Sequence, residues 1–167
     1  YRRHCAHCHG ISGDGQGPTA AILNPYPRDY RRGLFKFKGT YAASKPTDED
    51  LRRVIYNGVP GTAMPAFALL PPDEVDALVE YVKYLSMRGQ METALEQYIS
   101  DEALEPDAPL DPATDPELKD LIVNDLLATE VVEGWKAAVE QVVAPNPETV
   151  PPADRTADQI RTSVDAG

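Results

Sequence analysis

Apolar residues recur at helical spacing in four stretches of the chain, and turn-forming residues fill the gaps between them. In "DEDLRRVIYNG", Leu51, Val54 and Ile55 line one face. Thr47 stands at the N-cap position, and Asp48, Glu49 and Asp50 place negative charge in the first turn, where the helix dipole favours it. Gly58 ends that run. In "VDALVEYVKYLS", Val75, Leu78, Val79, Val82 and Leu85 form the stripe of a core-facing helix. Met87 and Met91 follow as its end, where methionine commonly fills core gaps. Asp115-Pro116-Glu117 reads as the cap and first turn of a third helix carrying Leu118, Leu121, Ile122 and Leu126. Thr129-Glu130 opens a fourth, with Val132, Trp135, Val139 and Val142 expected on a shared face. Without any βαβ alternation, the pattern predicts an all-α fold.

Proline-rich breaks at "EPDAPLDPATDP" and "VAPNPETVPPAD" bound the later helices, and charge divides the chain nearby. Residues 1–90 hold 12 Lys/Arg against 9 Asp/Glu, a net of +3; residues 91–167 hold 4 against 18, a net of −14. On charge alone the second part could be a flexible linker. Its helix signals predict two or three amphipathic helices packed on the first part, as an acidic helical extension or connector over 91–167. The overall acidity disfavours nucleic-acid binding, which needs a positive field. The sequence holds no Ser/His/Asp set, no phosphate loop and no apolar run long enough to span a membrane.

The chemistry is concentrated in "HCAHCHG", residues 4–10, which contains every histidine and cysteine of the chain. A zinc site would want a second pair of ligands from elsewhere, and none exists. A dithiol switch would want a preceding strand in a βαβ context. The third reading, a covalently attached haem, uses each residue. Cys5 and Cys8 add to two vinyl groups on one porphyrin edge, and His9 supplies the fifth iron ligand.

A sixth ligand must come from elsewhere, because His4 and His7 lie within the attachment turn. A thioether opposite histidine raises the reduction potential into an electron-carrier range. Met64 sits in "NGVPGTAMPAF" between Gly/Pro breaks, with Pro65 biasing it towards extended backbone. It is the expected sixth ligand, with ordinary packing as the alternative.

The segments "YRRHCAHCHG…GDGQGP", "NPYPRDYRRGLFKFKGT", "PTDEDLRRVIYNGVPGTAMPAF" and "VDALVEYVKYLS" together resemble a class I c-type cytochrome domain of the bacterial mono- and dihaem type. The resemblance covers Tyr1 to about Gly89 and implies one covalent haem c over a haem domain at 1–90. It implies that Cys5 and Cys8 are thioether attachments, His9 the proximal ligand and Met64 the distal one. It also implies that the Pro18 carbonyl of "GP" accepts a hydrogen bond from the ligand imidazole, with Pro25 as rival. Haem attachment in this family takes place outside the cytoplasm, so a periplasmic or other extracytoplasmic location is implied. The family's N-terminal helix would precede Tyr1, which favours a fragment of a longer protein. "RTADQIRTSVDAG" reads either as the beginning of a helix leading to a second haem domain or as an ordinary terminal helix.

Arg28, Arg31, Arg32, Lys36 and Lys38 flank Tyr30, Phe35 and Phe37. One or two, Arg28 first among them, are candidates for bonding the haem propionates, which need compensation when buried. A docking rim and a plainly solvated face are the alternatives, and the acidic extension is expected to fold against this basic face. Three function classes follow. The first is electron transfer between redox partner proteins through a low-spin haem. The second is an open-site haem enzyme acting on peroxide or a small gas, for which no distal acid–base residue can be named. The third is a haem-based interaction or sensor module. Electron transfer is the preferred reading.

Overall fold

The structure is a computed structural model and describes residues 1–101 and 111–143. A single helical turn, α1 (Ala6–His9), opens the chain, and a 3-10 turn follows at Ala20–Ile22. Two longer helices, α2 (Asp48–Asn57) and α3 (Pro72–Asp101), frame the core. Among the described residues there is no strand, only an isolated bridge between Thr40 and Val142. The all-α expectation holds.

Helix α2 forms where its cap requires. The Thr47 hydroxyl accepts from the Asp50 backbone N–H at 3.1 Å, and the Asp50 carboxylate accepts from the Thr47 N–H at 3.1 Å, a reciprocal capping box. The same carboxylate accepts from the Gly39 N–H at 2.9 Å, which ties the preceding loop to the helix. Leu51 and Ile55 are buried against α3, while Val54 is only half-buried.

All five stripe positions of α3 are buried, and they share one core with Tyr30, Leu51, Ile55, Val131 and Trp135. Met87 and Met91 pack against it, as expected of gap-filling side chains. They do not end the helix, which continues to Asp101. Gly89 lies inside it rather than terminating it. A Cβ there would overlap the Cα and Cβ of Arg31, so glycine lets the chain segment before Arg32 cross the helix in backbone contact.

The extension departs most from expectation. Instead of two helices separated near Thr129, one continuous run joins α4 (Pro116–Asp120), a π-wound stretch (Leu121–Val132), α5 (Glu133–Lys136) and a 3-10 turn (Ala137–Gln141). The Asp115 carboxylate caps its start, as expected, by accepting from the Glu117 and Leu118 N–H groups. The buried face is Leu118, Leu126, Val131, Trp135 and Ala138. Its steps follow the winding: five residues from Leu126 to Val131, four to Trp135, then three to Ala138. Uniform α spacing put Val139 and Val142 on that face, but they are 73% and 50% exposed. The wider π turn shifts the register by one residue.

This run packs on α3, and its end pairs with the 39–41 segment through Tyr41 N–H to Gln141 O at 3.2 Å and Val143 N–H to Gly39 O at 2.8 Å. The seam is apolar and backbone-mediated. Among the described residues, no acidic group of segment 111–143 pairs with a Lys or Arg of the first ninety residues. The expected charge-driven docking on the basic face is therefore not how this segment is held. Arg31 pairs with Asp29 at 2.9 Å, and Lys38 donates to the Thr40 hydroxyl and the Tyr41, Ala42 and Ser44 carbonyls of its own loop. The C-terminal "RTADQIRTSVDAG" lies outside the described residues.

Two outcomes are expected. Gly→Ala in a helix interior ordinarily stabilises by up to about 1 kcal/mol, but Gly89→Ala should destabilise by about 1–3 kcal/mol because the methyl displaces Arg31. Denaturant unfolding checks the sign. For Asp50, burial pushes the carboxyl up but is outweighed by the Thr47 and Gly39 N–H groups, the Thr47 hydroxyl and Arg53, so its pKa is lowered. A lowered pKa means its stabilisation is full above the unfolded value, about 3.9, and is lost as pH falls through the folded value. The stability gap between wild type and Asp50→Asn should be constant near neutrality and shrink below about pH 4.

Candidate haem site

Cys5 is the N-cap residue of α1, and Cys8 and His9 lie within it. Spaced i, i+3 and i+4, the two thiols and the imidazole share one face of a single turn. His7 falls outside that set and is exposed. So short a helix leaves its terminal carbonyls without intrahelical partners, and the following loop supplies them. His9 O accepts from Gly15 N–H at 2.9 Å, Cys8 O from Gly17 N–H at 3.0 Å, and His7 O from Thr19 N–H at 3.0 Å. The Thr19 hydroxyl also donates to His7 O at 2.8 Å. A Cβ on Gly17 would overlap the His7 carbonyl, which is why glycine is needed where this loop crosses the turn.

His9 is 8% exposed, and its Nδ1 lies 3.1 Å from the Arg28 carbonyl oxygen. A carbonyl only accepts, so Nδ1 carries the proton and Nε2 keeps its lone pair. Burial lowers the His9 pKa, opposed by the Arg28 hydrogen bond and aided by His7. The Tyr30 ring stacks on the imidazole with centroids 4.6 Å apart. Arg28 thus contributes through its backbone, while its side chain is exposed.

This corrects the expectation for Pro18. Its loop runs along the carbonyl end of α1, and Pro18 itself is exposed. The chain comes round to Nδ1 only at Arg28, past both Pro18 and Pro25. Gly15 allows this approach, since a Cβ there would stand 2.6 Å from the Pro27 carbonyl oxygen.

Met64 lies in the loop after α2 and is half-buried. Its N–H donates to the Thr62 hydroxyl at 3.1 Å and its carbonyl accepts from Val59 N–H at 3.2 Å. Gly58, at φ +67°, lets the 64–66 backbone pass closely; a Cβ would meet it at 2.6–2.7 Å. The same loop reaches the attachment turn through Phe67, whose ring meets that of His4 edge-on at 6.0 Å. Tyr30 and Phe67 are the contact residues that sequence reasoning missed. Each had a local signal, an aromatic beside a proline-rich or glycine-rich turn, but neither signal says which ring it will face.

Cys5 and Cys8 are not bridged to each other. Cys5 packs against the core, and burial pushes its thiol up, aided by Cys8. Among the described residues, no three His, Cys, Asp or Glu side chains converge as a metal-ligand cluster would. The donor set instead fits a c-type haem: two unbridged thiols and one imidazole with Nε2 available, all on one face.

A cytochrome c family model matches residues 1–86, just over half of the chain. The chain belongs to the cytochrome c family. Beyond that domain, the chain is similar to one in a solved structure, the Kuenenia stuttgartiensis reducing HAO-like protein complex Kustc0457/Kustc0458. The two are 30% identical with a TM-score of 0.50. The match covers 84% of this chain, so it includes part of the extension as well as the cytochrome c domain, and it spans 64% of that chain's length. No curated protein sequence matches.

Gly17→Ala should push the 15–19 loop off the attachment turn. Amide hydrogen exchange at Gly15, position 17 and Thr19 should accelerate, and stability should fall by about 1–3 kcal/mol. Unchanged protection at all three would show that the loop does not cap α1.

Proposed function

We propose that the chain carries one covalently attached haem c and transfers single electrons, with His9 and Met64 as axial ligands and Cys5 and Cys8 as attachment points. The observation that carries this reading is the state of His9: buried, with Nδ1–H held by the Arg28 carbonyl and Nε2 left to bind, on the same face as two unbridged thiols. The haem supplies the ferric–ferrous couple. The protein's part is to keep the ligand imidazole neutral and oriented, and to exclude water behind it. Burial depresses protonation of His9, Tyr30 covers its ring, and the backbone hydrogen bond fixes its tautomer.

Three observations support Met64 over the other methionines. Its backbone is pinned at both ends by Thr62 and Val59. Its loop leans on the attachment turn through Phe67 and His4. Met87 and Met91 are packed against the core from α3. Methionine opposite histidine raises the potential, which suits a carrier.

An extracytoplasmic location follows from the chemistry of haem attachment in the family. Among the described residues, no helix is long and apolar enough to cross a membrane. The partners are redox donor and acceptor proteins met in brief, salt-sensitive encounters. That the similar solved structure is a protein complex supports an assembly role, and a second haem domain in the full-length protein fits the acidic extension as connector. Arg28 is exposed, and its guanidinium is our candidate for bonding a haem propionate or meeting a partner.

The oxidised protein should show the weak far-red sulfur-to-iron absorption band. Met64→Ala should abolish the band and lower the reduction potential while the haem stays covalently attached. A variant with the band and potential unchanged would remove Met64 from the iron.

A further inference from the structure

The loop that receives the end of the extension is wound around a cation of its own. The Lys38 ammonium donates to the Thr40 hydroxyl at 3.2 Å, the Ala42 carbonyl at 3.1 Å, the Ser44 carbonyl at 2.7 Å and also the Tyr41 carbonyl. Three N–H donors are thus shared among four neutral oxygens, all from residues 40–44. Among the described residues, no carboxylate stands within ion-pair distance of Lys38. Asp50, whose charge favours the ammonium, is itself engaged with the Gly39 and Thr47 N–H groups and with Arg53.

Carbonyl dipoles turned towards one point repel one another, so a loop folded this way needs positive charge at its centre. A shell of neutral oxygens is what backbone carbonyls give a dehydrated monovalent cation, whereas a divalent ion is ordinarily held with carboxylates in the shell. The backbone keeps the shell in place. The buried Thr40 hydroxyl accepts from Lys38 and passes its own proton to the Lys45 carbonyl at 2.9 Å, and Ser44 N–H donates to the Tyr41 carbonyl at 2.9 Å. The outer edge of the same segment is the seat of the extension, where Tyr41 N–H meets Gln141 O, Val143 N–H meets Gly39 O, and Thr40 stands opposite Val142. Tyr41 therefore faces both ways: its carbonyl turns in to the ammonium and its N–H out to the extension.

We propose that the 40–44 loop is a monovalent-cation site, filled by the Lys38 ammonium, and that its filling holds the 39–41 edge in the shape that receives the extension. The ligand class is a bare cation of ammonium or potassium size. Lys38 is that cation on a tether, and removing it opens the same oxygens to a free one. None of these groups belongs to the haem site, so the cation site stands or falls apart from the electron-transfer reading.

The test is amide hydrogen exchange in the full chain, as purified and kept reduced. Tetramethylammonium chloride, too large a cation for the loop, is the only salt at first; potassium or ammonium chloride then replaces it at equal ionic strength. Ser44 N–H reports on the loop, and Tyr41 and Val143 N–H report on the seam. In the wild type, protection at all three should be the same in every salt. Lys38→Ala in tetramethylammonium should lose about tenfold or more at all three, the scale of charge-assisted hydrogen bonds. Potassium or ammonium should restore it saturably. Lys38→Met, whose longer side chain still occupies the site, should lose protection and regain none. Unchanged protection in Lys38→Ala, a loss that neither cation restores, or an equal rescue of Lys38→Met each overturns the cation site. A loss at Ser44 without one at Tyr41 and Val143 overturns the coupling to the extension. Should Lys38→Ala not fold, the wild type decides. Its Lys38 ammonium should give a 1H–15N cross-peak with slowed proton exchange at neutral pH, and the lack of that peak overturns the site.

Discussion

A histidine that is to bind a metal must be neutral, fixed in tautomer and shielded, and the hydrogen bond from His9 Nδ1 to the Arg28 carbonyl meets most of that requirement in the proposed site. To place that carbonyl, the chain must leave α1, wrap its open end and return within twenty residues. Glycines at 15 and 17 make the two close crossings, and Tyr30 closes the loop by donating its N–H to Gly13 O at 2.7 Å. Beyond Arg28, the Asp29–Arg31 pair and the contact of Arg31 with Gly89 fasten the same strand of chain to α3. The orientation of the His9 imidazole is thus referred to α3, the longest helix of the fold.

The extension joins the same framework by packing rather than by charge. Val131 and Trp135 belong to one core with Leu51, Val79 and Leu85, and Phe35 bridges Tyr30 to Trp135. The boundary drawn near residue 90 from composition separates charge, but the core runs across it. Acidic side chains on the solvent face leave the two parts free to keep opposite electrostatic character while sharing one interior.

Much of this was legible beforehand because it depends on local spacing. Cys5, Cys8 and His9 could be placed on one face from their separation alone, and the Thr47 cap, the Gly58 stop and the α3 stripe needed only near neighbours. What escaped depends on how distant segments meet. The acceptor for His9 was expected at Pro18, but which carbonyl reaches an imidazole is decided by the path of a whole loop. The end of α3 was expected at Met87 and Met91, but the helix runs on to Asp101, and the chain at Arg31 crosses it at Gly89. The face of the extension was misread because 3.6-residue periodicity is an assumption about winding, and the winding changes three times between Pro116 and Gln141.

That mixed winding sets what kind of change the extension tolerates. In a regular helix each residue advances the face by about 100°, so a single insertion or deletion anywhere between Leu121 and Val132 would rotate Trp135 and Ala138 out of phase with α3. Substitutions at outward positions such as Val123 or Val139 leave that rotational phase intact. Length is therefore the inherited quantity in this stretch, and composition on its outer face is comparatively free to drift.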